Sequence, residues 1–139
     1  MDHGSVEAEV RAWFNDYVET FVRCASSGSA DAEPLQKYLH APSSLATDDL
    51  FIVLRTREEV AGMLGGELAR LAKSDYGGST ALDPIIQVIN RRSAIIAVTW
   101  SRTTRSGVEF QRLQVSYWIA RTEEGWRIAG SAVHSNASA

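Results

Sequence analysis

Five side chains in this sequence are of the types that move protons or steady a charged oxygen: Tyr17, His40, Arg102, Tyr117 and His134. A histidine titrates near neutrality and can take or give a proton. A tyrosine hydroxyl can polarise a carbonyl or stabilise an enolate, and an arginine can hold a carboxylate or a developing oxyanion. Together they suit a cofactor-free proton transfer beside a carbonyl-type oxygen, with His40, His134 and Tyr17 as the catalytic candidates. Trp100, Arg102, Tyr117 and Trp13 are the candidates for holding a ligand. Each also has a structural reading. His134 can be hydrogen-bonded near a sheet edge, and His40, before Ala41-Pro42, can bond a helix-end carbonyl. The tyrosines can be core aromatics with satisfied hydroxyls, and Arg102 can pair with Glu109. Trp13, Trp100 and Trp126 can simply pack.

Other chemistries find no support. No Asp or Glu lies in 84–108 or 110–122, so paired strand carboxylates are lacking. Asp48-Asp49, next to Thr47, reads as a turn. His3, His40 and His134 share no short ligand spacing, and neither a metal nor a cofactor is expected. Cys24 is the only cysteine, which excludes an intrachain disulfide and any multi-cysteine metal site, and it reads as a buried small hydrophobe. Gly62, Gly65, Gly66, Gly77 and Gly78 do not follow a strand with phosphate-loop spacing.

The elements that must position the candidates follow from periodicity. Val6, Val10, Trp13, Phe14, Tyr17, Val18, Phe21 and Val22 recur at helical spacing, with Ser5 as the expected N-cap. Asp31–Leu39 reads as a second, short helix that His40 and Pro42 end. Ser44–Ala46 and Phe51–Leu54 read as a small hairpin. Thr56-Arg57-Glu58-Glu59 is a capping box that opens a third helix with the face Val60, Met63, Leu64, Leu68 and Leu71. This helix fades at Tyr76-Gly77-Gly78. Asp83–Asn90, Ala94–Arg105, Phe110–Arg121 and Gly125–His134 are rich in β-branched and aromatic residues, and their short connections predict an antiparallel meander. The order of elements is that of a segregated α+β fold. Alternation puts Ile96, Val98, Trp100 and Arg102 on the helix side, with Leu113, Val115, Tyr117 and Ile119. On the last strand it adds Trp126, Ile128, Gly130, Ala132 and His134, and the small Gly130 and Ala132 would leave room for a ligand.

The chain has 139 residues, 45% hydrophobic and 22% charged, enough for one soluble domain over 6–135 between a loose start, 1–5, and a disordered tail, 136–139. No apolar run approaches membrane-spanning length, and the acidic start lacks a secretory pattern, so a cytoplasmic protein is expected. The net charge of −3 hides an uneven split. Residues 1–90 hold 7 Lys/Arg against 14 Asp/Glu, and residues 91–139 hold 7 Arg against 3 acids. The arginines are scattered along strands of an acidic chain, which speaks against nucleic-acid binding. Three functional readings stay open: a pocket for a compact apolar ligand, a non-catalytic dimeric module, and an arginine-lined surface that requires Arg91, Arg102, Arg105 and Arg112 to converge.

The sequence also resembles the nuclear transport factor 2-like superfamily, which includes the SnoaL-like cyclases, ketosteroid isomerases and scytalone dehydratase. The resemblance is carried by Trp13-Phe14-Asn15-Asp16-Tyr17, Tyr38-Leu39-His40-Ala41-Pro42, Val53–Val60 and the ending Gly125-Trp126-Arg127-Ile128-Ala129-Gly130-Ser131-Ala132-Val133-His134-Ser135. It covers 6–135. With Ser101-Arg102, Gly107-Val108-Glu109 and Val115-Ser116-Tyr117, it is most similar to an uncharacterised bacterial branch. The resemblance implies a cone-shaped, strongly bent antiparallel sheet wrapped around three N-terminal helices, of the cystatin-like type. It further implies an apolar internal pocket for a small organic ligand, a homodimer through the sheet, and a cofactor-free isomerase, cyclase or dehydratase as the candidate activity. Tyr17 matches the helix-one tyrosine of the isomerases, whereas their strand carboxylates have no counterpart here.

Overall fold

Val6, Val10, Phe14, Tyr17, Phe21 and Cys24 recur every three or four residues and are all buried, forming the inner stripe of α1, His3–Ser26. The computed structural model describes residues 3–135. Ser5 lies within the first turns of α1 rather than at its cap. Met1, Asp2 and the tail expected to be disordered, 136–139, lie outside the described residues.

α2 is a single turn, Glu33–Gln36, shorter than the helix expected through Leu39. Competing strand pairing ends it. Ile128 N donates to Tyr38 O at 2.7 Å, and Leu39 opens β1, Leu39–Ala46, which contains both His40 and the cis Ala41–Pro42 bond. β1 pairs with β2, Phe51–Leu54, across a turn in which Thr47 Oγ1 accepts from the Asp49 and Leu50 amides, so Asp48-Asp49 is a turn as read. α3, Arg57–Ala72, opens with the capping box of Thr56 and Glu59 and buries Val60, Leu64, Leu68 and Leu71.

The meander consists of β3, Tyr76–Asn90, β4, Ser93–Thr104, β5, Glu109–Thr122, and β6, Gly125–Val133. β3 starts seven residues before the expected Asp83 because Gly78–Leu82 pair with Thr103–Thr99 of β4. Gly77 permits this start, since a Cβ there would overlap the Thr104 carbonyl. The described strands form one sheet in the order β2-β1-β6-β5-β4-β3, with β1 and β6 parallel and the other pairs antiparallel. The sheet is curled and unclosed, giving an α+β cone-like fold whose core lies between sheet and helices.

One irregularity exchanges faces. Ile119 pairs with Ile128, but Trp118 pairs with Gly130, leaving Ala129 as an extra residue in β6. Beyond this bulge every side chain of β6 changes side. Gly130, Ala132 and His134 therefore lie on the outer face and not on the helix side, as uninterrupted alternation predicts.

Candidate functional site

α1, β4 and β5 bring aromatic side chains to one place inside the cone, where Tyr38 joins them. Tyr17 packs 5.4 Å from Tyr38, 6.2 Å from Trp13 and 6.3 Å from Tyr117, centroid to centroid. Phe14 lies 5.9 Å from Tyr117 and 6.4 Å from Trp100, while Phe21 stands 6.2 Å from Trp100. These are ordinary packing separations for aromatic pairs, so rings occupy the region in which a pocket was expected. Trp100 Nε1 donates to the Tyr117 hydroxyl at 2.9 Å. The Tyr38 hydroxyl donates to Asp16 Oδ2 at 2.5 Å.

At the edge of this cluster sits Arg102, only 8% exposed. Its Nη1 donates to Glu67 Oε1 at 2.8 Å and to Gln111 Oε1 at 3.0 Å, and its guanidinium lies 5.6 Å from the Phe21 ring centroid. Its Nε is buried and, among the described residues, has no hydrogen-bond partner. Burial would push the Glu67 carboxyl up, but the hydrogen bonds from Arg70 and the charge and hydrogen bond of Arg102 outweigh it and hold the group below its ordinary value. Burial raises the Tyr17 hydroxyl well above the usual tyrosine value and pushes Tyr117 up to about 12. Both are neutral near pH 7, able to donate hydrogen bonds and unable to act as bases.

The outer face is different. Register connects two rows across the whole sheet. One runs Phe51, Ala46, Ala132, Ser116, Ala97, Ile85, and the other Val53, Ser44, Gly130, Trp118, Ile95, Gln87. Both are mainly apolar; the first has small residues on its four middle strands, whereas the second places Trp118 and Ile95 beside Gly130. Phe51 is 67% exposed, Ile85 68% and Trp118 52%. A Cβ on Gly130 would reach to 2.9 Å from Ser44 Oγ, so the glycine lets the Ser44 hydroxyl lie close to the β6 backbone, while Trp118 Cβ at 3.9 Å would stay in ordinary contact. Trp118 separates two shallow clefts, one of about 320 Å³ bordered by Ala46, Phe51, Ile95 and Ala132, the other of about 390 Å³ bordered by His40, Pro42, Val53 and Ala129.

Residues 7–136 match the family described as NTF2-like protein (DUF6841). The chain belongs to that family. Solved structures agree on the fold of this NTF2-like protein. A domain of unknown function with a cystatin-like fold from Nostoc punctiforme is 15% identical with a TM-score of 0.70, covering 99% of this chain and 82% of that one. An NTF2-like superfamily protein from Salmonella enterica serovar Typhimurium is 17% identical with a TM-score of 0.68, covering 98% and 94%. The yeast UBP3-associated protein BRE5 is 13% identical with a TM-score of 0.66, covering 91% and 95%. No curated protein matches the sequence.

Within this NTF2-like protein the sequence-derived candidates divide. Tyr17, Tyr117, Trp100, Trp13 and Arg102 converge inside the cone. The histidines do not join them: His40 Nδ1 lies 2.9 Å from Pro42 O on β1, and His134 Nε2 lies 2.7 Å from Ser116 Oγ on the outer face. Arg102 bonds Gln111 and not Glu109, because Gln111 stands opposite it in register, while Glu109 pairs with Arg112. Arg91, Arg102, Arg105 and Arg112 do not converge, since Arg102 is inside, Arg105 faces Asp75 at 3.9 Å and Arg112 binds Glu109. Sequence reasoning missed Glu67 and Gln111. Their signal was present: Gln111 shares the parity of Leu113, and Glu67 is an acid between Leu64 and Leu68 on the buried side of α3. Among the described residues no His/Cys/Asp/Glu group is arranged to hold a metal, and no helix is long and apolar enough to cross a membrane.

Proposed function

We propose that this NTF2-like protein is a non-catalytic interaction module that works as a homodimer through the outer face of its sheet. One observation carries the reading: two continuous, mainly apolar rows cross all the described strands on that face, with Trp118 half exposed at their centre. Large exposed apolar patches mark interaction surfaces. A second copy is the favoured occupant because the patch contains both a protruding ring and clefts beside it, so a two-fold axis near Trp118 lets each copy supply knob and recess. The filled cone and the outward position of His134 favour this reading over catalysis.

Sedimentation velocity from about 1 to about 100 µM tests it, a range bracketing micromolar affinities. The expected species has twice the 15.2 kDa chain mass, and Trp118→Glu, at an exposed site, yields a folded monomer by circular dichroism and sedimentation. A wild-type monomer throughout, or a dimer that survives Trp118→Glu combined with Phe51→Glu, refutes it.

The small-ligand reading keeps one specific support, the unpartnered Arg102 Nε beside Tyr17 and Tyr117. A compact molecule bearing a carboxylate or carbonyl oxygen would satisfy that donor if the rings gave way. Thermal-shift screening with small carboxylic acids tests it: stabilisation lost in Arg102→Met supports a ligand, and no stabilisation by any of them rejects it.

A further inference from the structure

The β3–β4 turn and the end of β5 border an open cleft of about 560 Å³ lined by Asn90, Arg91, Arg92 and Arg121. The volume is in the range of small-ligand sites. Arg91 and Arg92 are exposed, and among the described residues neither has an ion-pair partner. Arg121 is held in place: its guanidinium lies 4.8 Å from the Trp126 ring centroid and its Nη2 reaches Glu9 Oε1 at 2.5 Å, the same oxygen that accepts from Trp126 Nε1. The turn is fixed as well. Asn90 Oδ1 accepts from Arg92 N at 2.8 Å and Ser93 Oγ at 3.0 Å, and Arg121 N donates to Arg92 O at 2.8 Å. Both acceptor bonds use the Asn90 oxygen, which leaves its amide nitrogen as a further donor.

Three arginines line the cleft and, among the described residues, the one carboxylate paired with any of them is Glu9 on Arg121, which leaves an excess of two positive charges in a concave site with a preorganised backbone. Like charges gathered without compensation disfavour the free protein and favour an anion. A carboxylate would neutralise half of the excess, whereas a phosphate monoester, close to dianionic at neutral pH, would neutralise nearly all of it and accept the forked arginine donors. We propose that this cleft binds the phosphate group of a small phosphomonoester. Arg121 follows Ile119 among the inward-facing residues of β5, so the site lies away from the apolar rows and does not rest on the dimer proposal.

The test is a titration of the full ¹⁵N-labelled chain at constant ionic strength, followed by amide chemical shifts, with inorganic phosphate, glucose 6-phosphate and a phosphoserine peptide as probes. Saturable shifts confined to Asn90–Ser93 and the Arg121 region are expected, with glucose 6-phosphate binding at least as tightly as inorganic phosphate. Arg91→Gln with Arg92→Gln, both on an exposed turn, should weaken binding at least about tenfold while leaving the remaining spectrum in place. No saturable shift up to about 10 mM of either small probe overturns the proposal, as does an unchanged Kd in the double variant. Binding of the phosphoserine peptide more than about tenfold tighter than glucose 6-phosphate overturns the small-molecule source and points to a phosphorylated protein.

Discussion

Glu67→Gln removes the carboxylate that Arg102 shares with Arg70 and leaves the Arg102 guanidinium, 8% exposed and with an unpartnered Nε among the described residues, without a counter-charge. Breaking a buried ion pair from one side typically costs about 3–5 kcal/mol. The Glu67 side chain retains 30% exposure and a glutamine oxygen can still accept from Arg102, so the expected loss is about 2 kcal/mol. For a domain of this length that lowers Tm by about 5–10 °C. Arg70→Ala removes only the partner on the solvent side, 53% exposed, and should cost below about 1 kcal/mol. The acid limb provides a second readout. Glu67 has a lower pKa folded than unfolded, so its contribution is complete above the ordinary carboxylate value of 4.5 and is lost as pH falls through the folded value. Urea unfolding should therefore show wild type losing more stability than Glu67→Gln below about pH 4.5. Replacing both charges, Glu67→Leu with Arg102→Met, should restore most of the loss, since an apolar pair of similar volume needs no compensation. Equal urea midpoints for wild type and Glu67→Gln at pH 7, together with superimposable acid limbs, would refute the argument that Arg102 depends on this carboxylate.

Two further expectations concern alkaline pH and close packing. The Tyr117 hydroxyl is raised in the folded state, so its contribution is present below the ordinary tyrosine value and lost as pH rises from about 10 to about 12; phenolate absorbance should show a late step coincident with unfolding, which Tyr117→Phe diminishes. Gly77→Ala should cost about 2–3 kcal/mol in urea unfolding because its new methyl meets the Thr104 backbone, while Gly130→Ala, whose methyl is tight only against the rotatable Ser44 hydroxyl and in ordinary contact with Trp118, should cost below about 1 kcal/mol; equal costs would contradict the geometry.

Where an element is decided by its own residues, the sequence was readable. The stripe of α1 and the Thr56–Glu59 capping box are local patterns, and both form as expected. Alternation likewise placed Trp100 and Arg102 on the inner side of β4, and Tyr117 on that of β5, because those strands run without a bulge through the middle of their pairing. Partners remote in sequence decided the rest. Asp31–Leu39 has helical character, yet Tyr38 and Leu39 are claimed by Ile128 of β6, about ninety residues away. Tyr76-Gly77-Gly78 resembles a chain break until β4 supplies the strand against which it extends.

The candidate site turned on one residue. With regular alternation, Gly130, Ala132 and His134 would open space inside the cone and set a histidine near Tyr117; the extra Ala129 sends all three to the other face. The same displacement removes a proton-transfer group from the interior and puts small side chains beneath Trp118, where they shape the recesses of the apolar outer surface. Residue types alone are compatible with both arrangements, because glycine and alanine suit a ligand cavity and a close-packed interface equally well. The tyrosines that remain inside have lost the base they would need and are driven further from ionisation by burial. The inner face thus keeps the Tyr17 and Tyr117 hydroxyls in their neutral form by burial, while the outer face of the same sheet carries the two mainly apolar rows around Trp118.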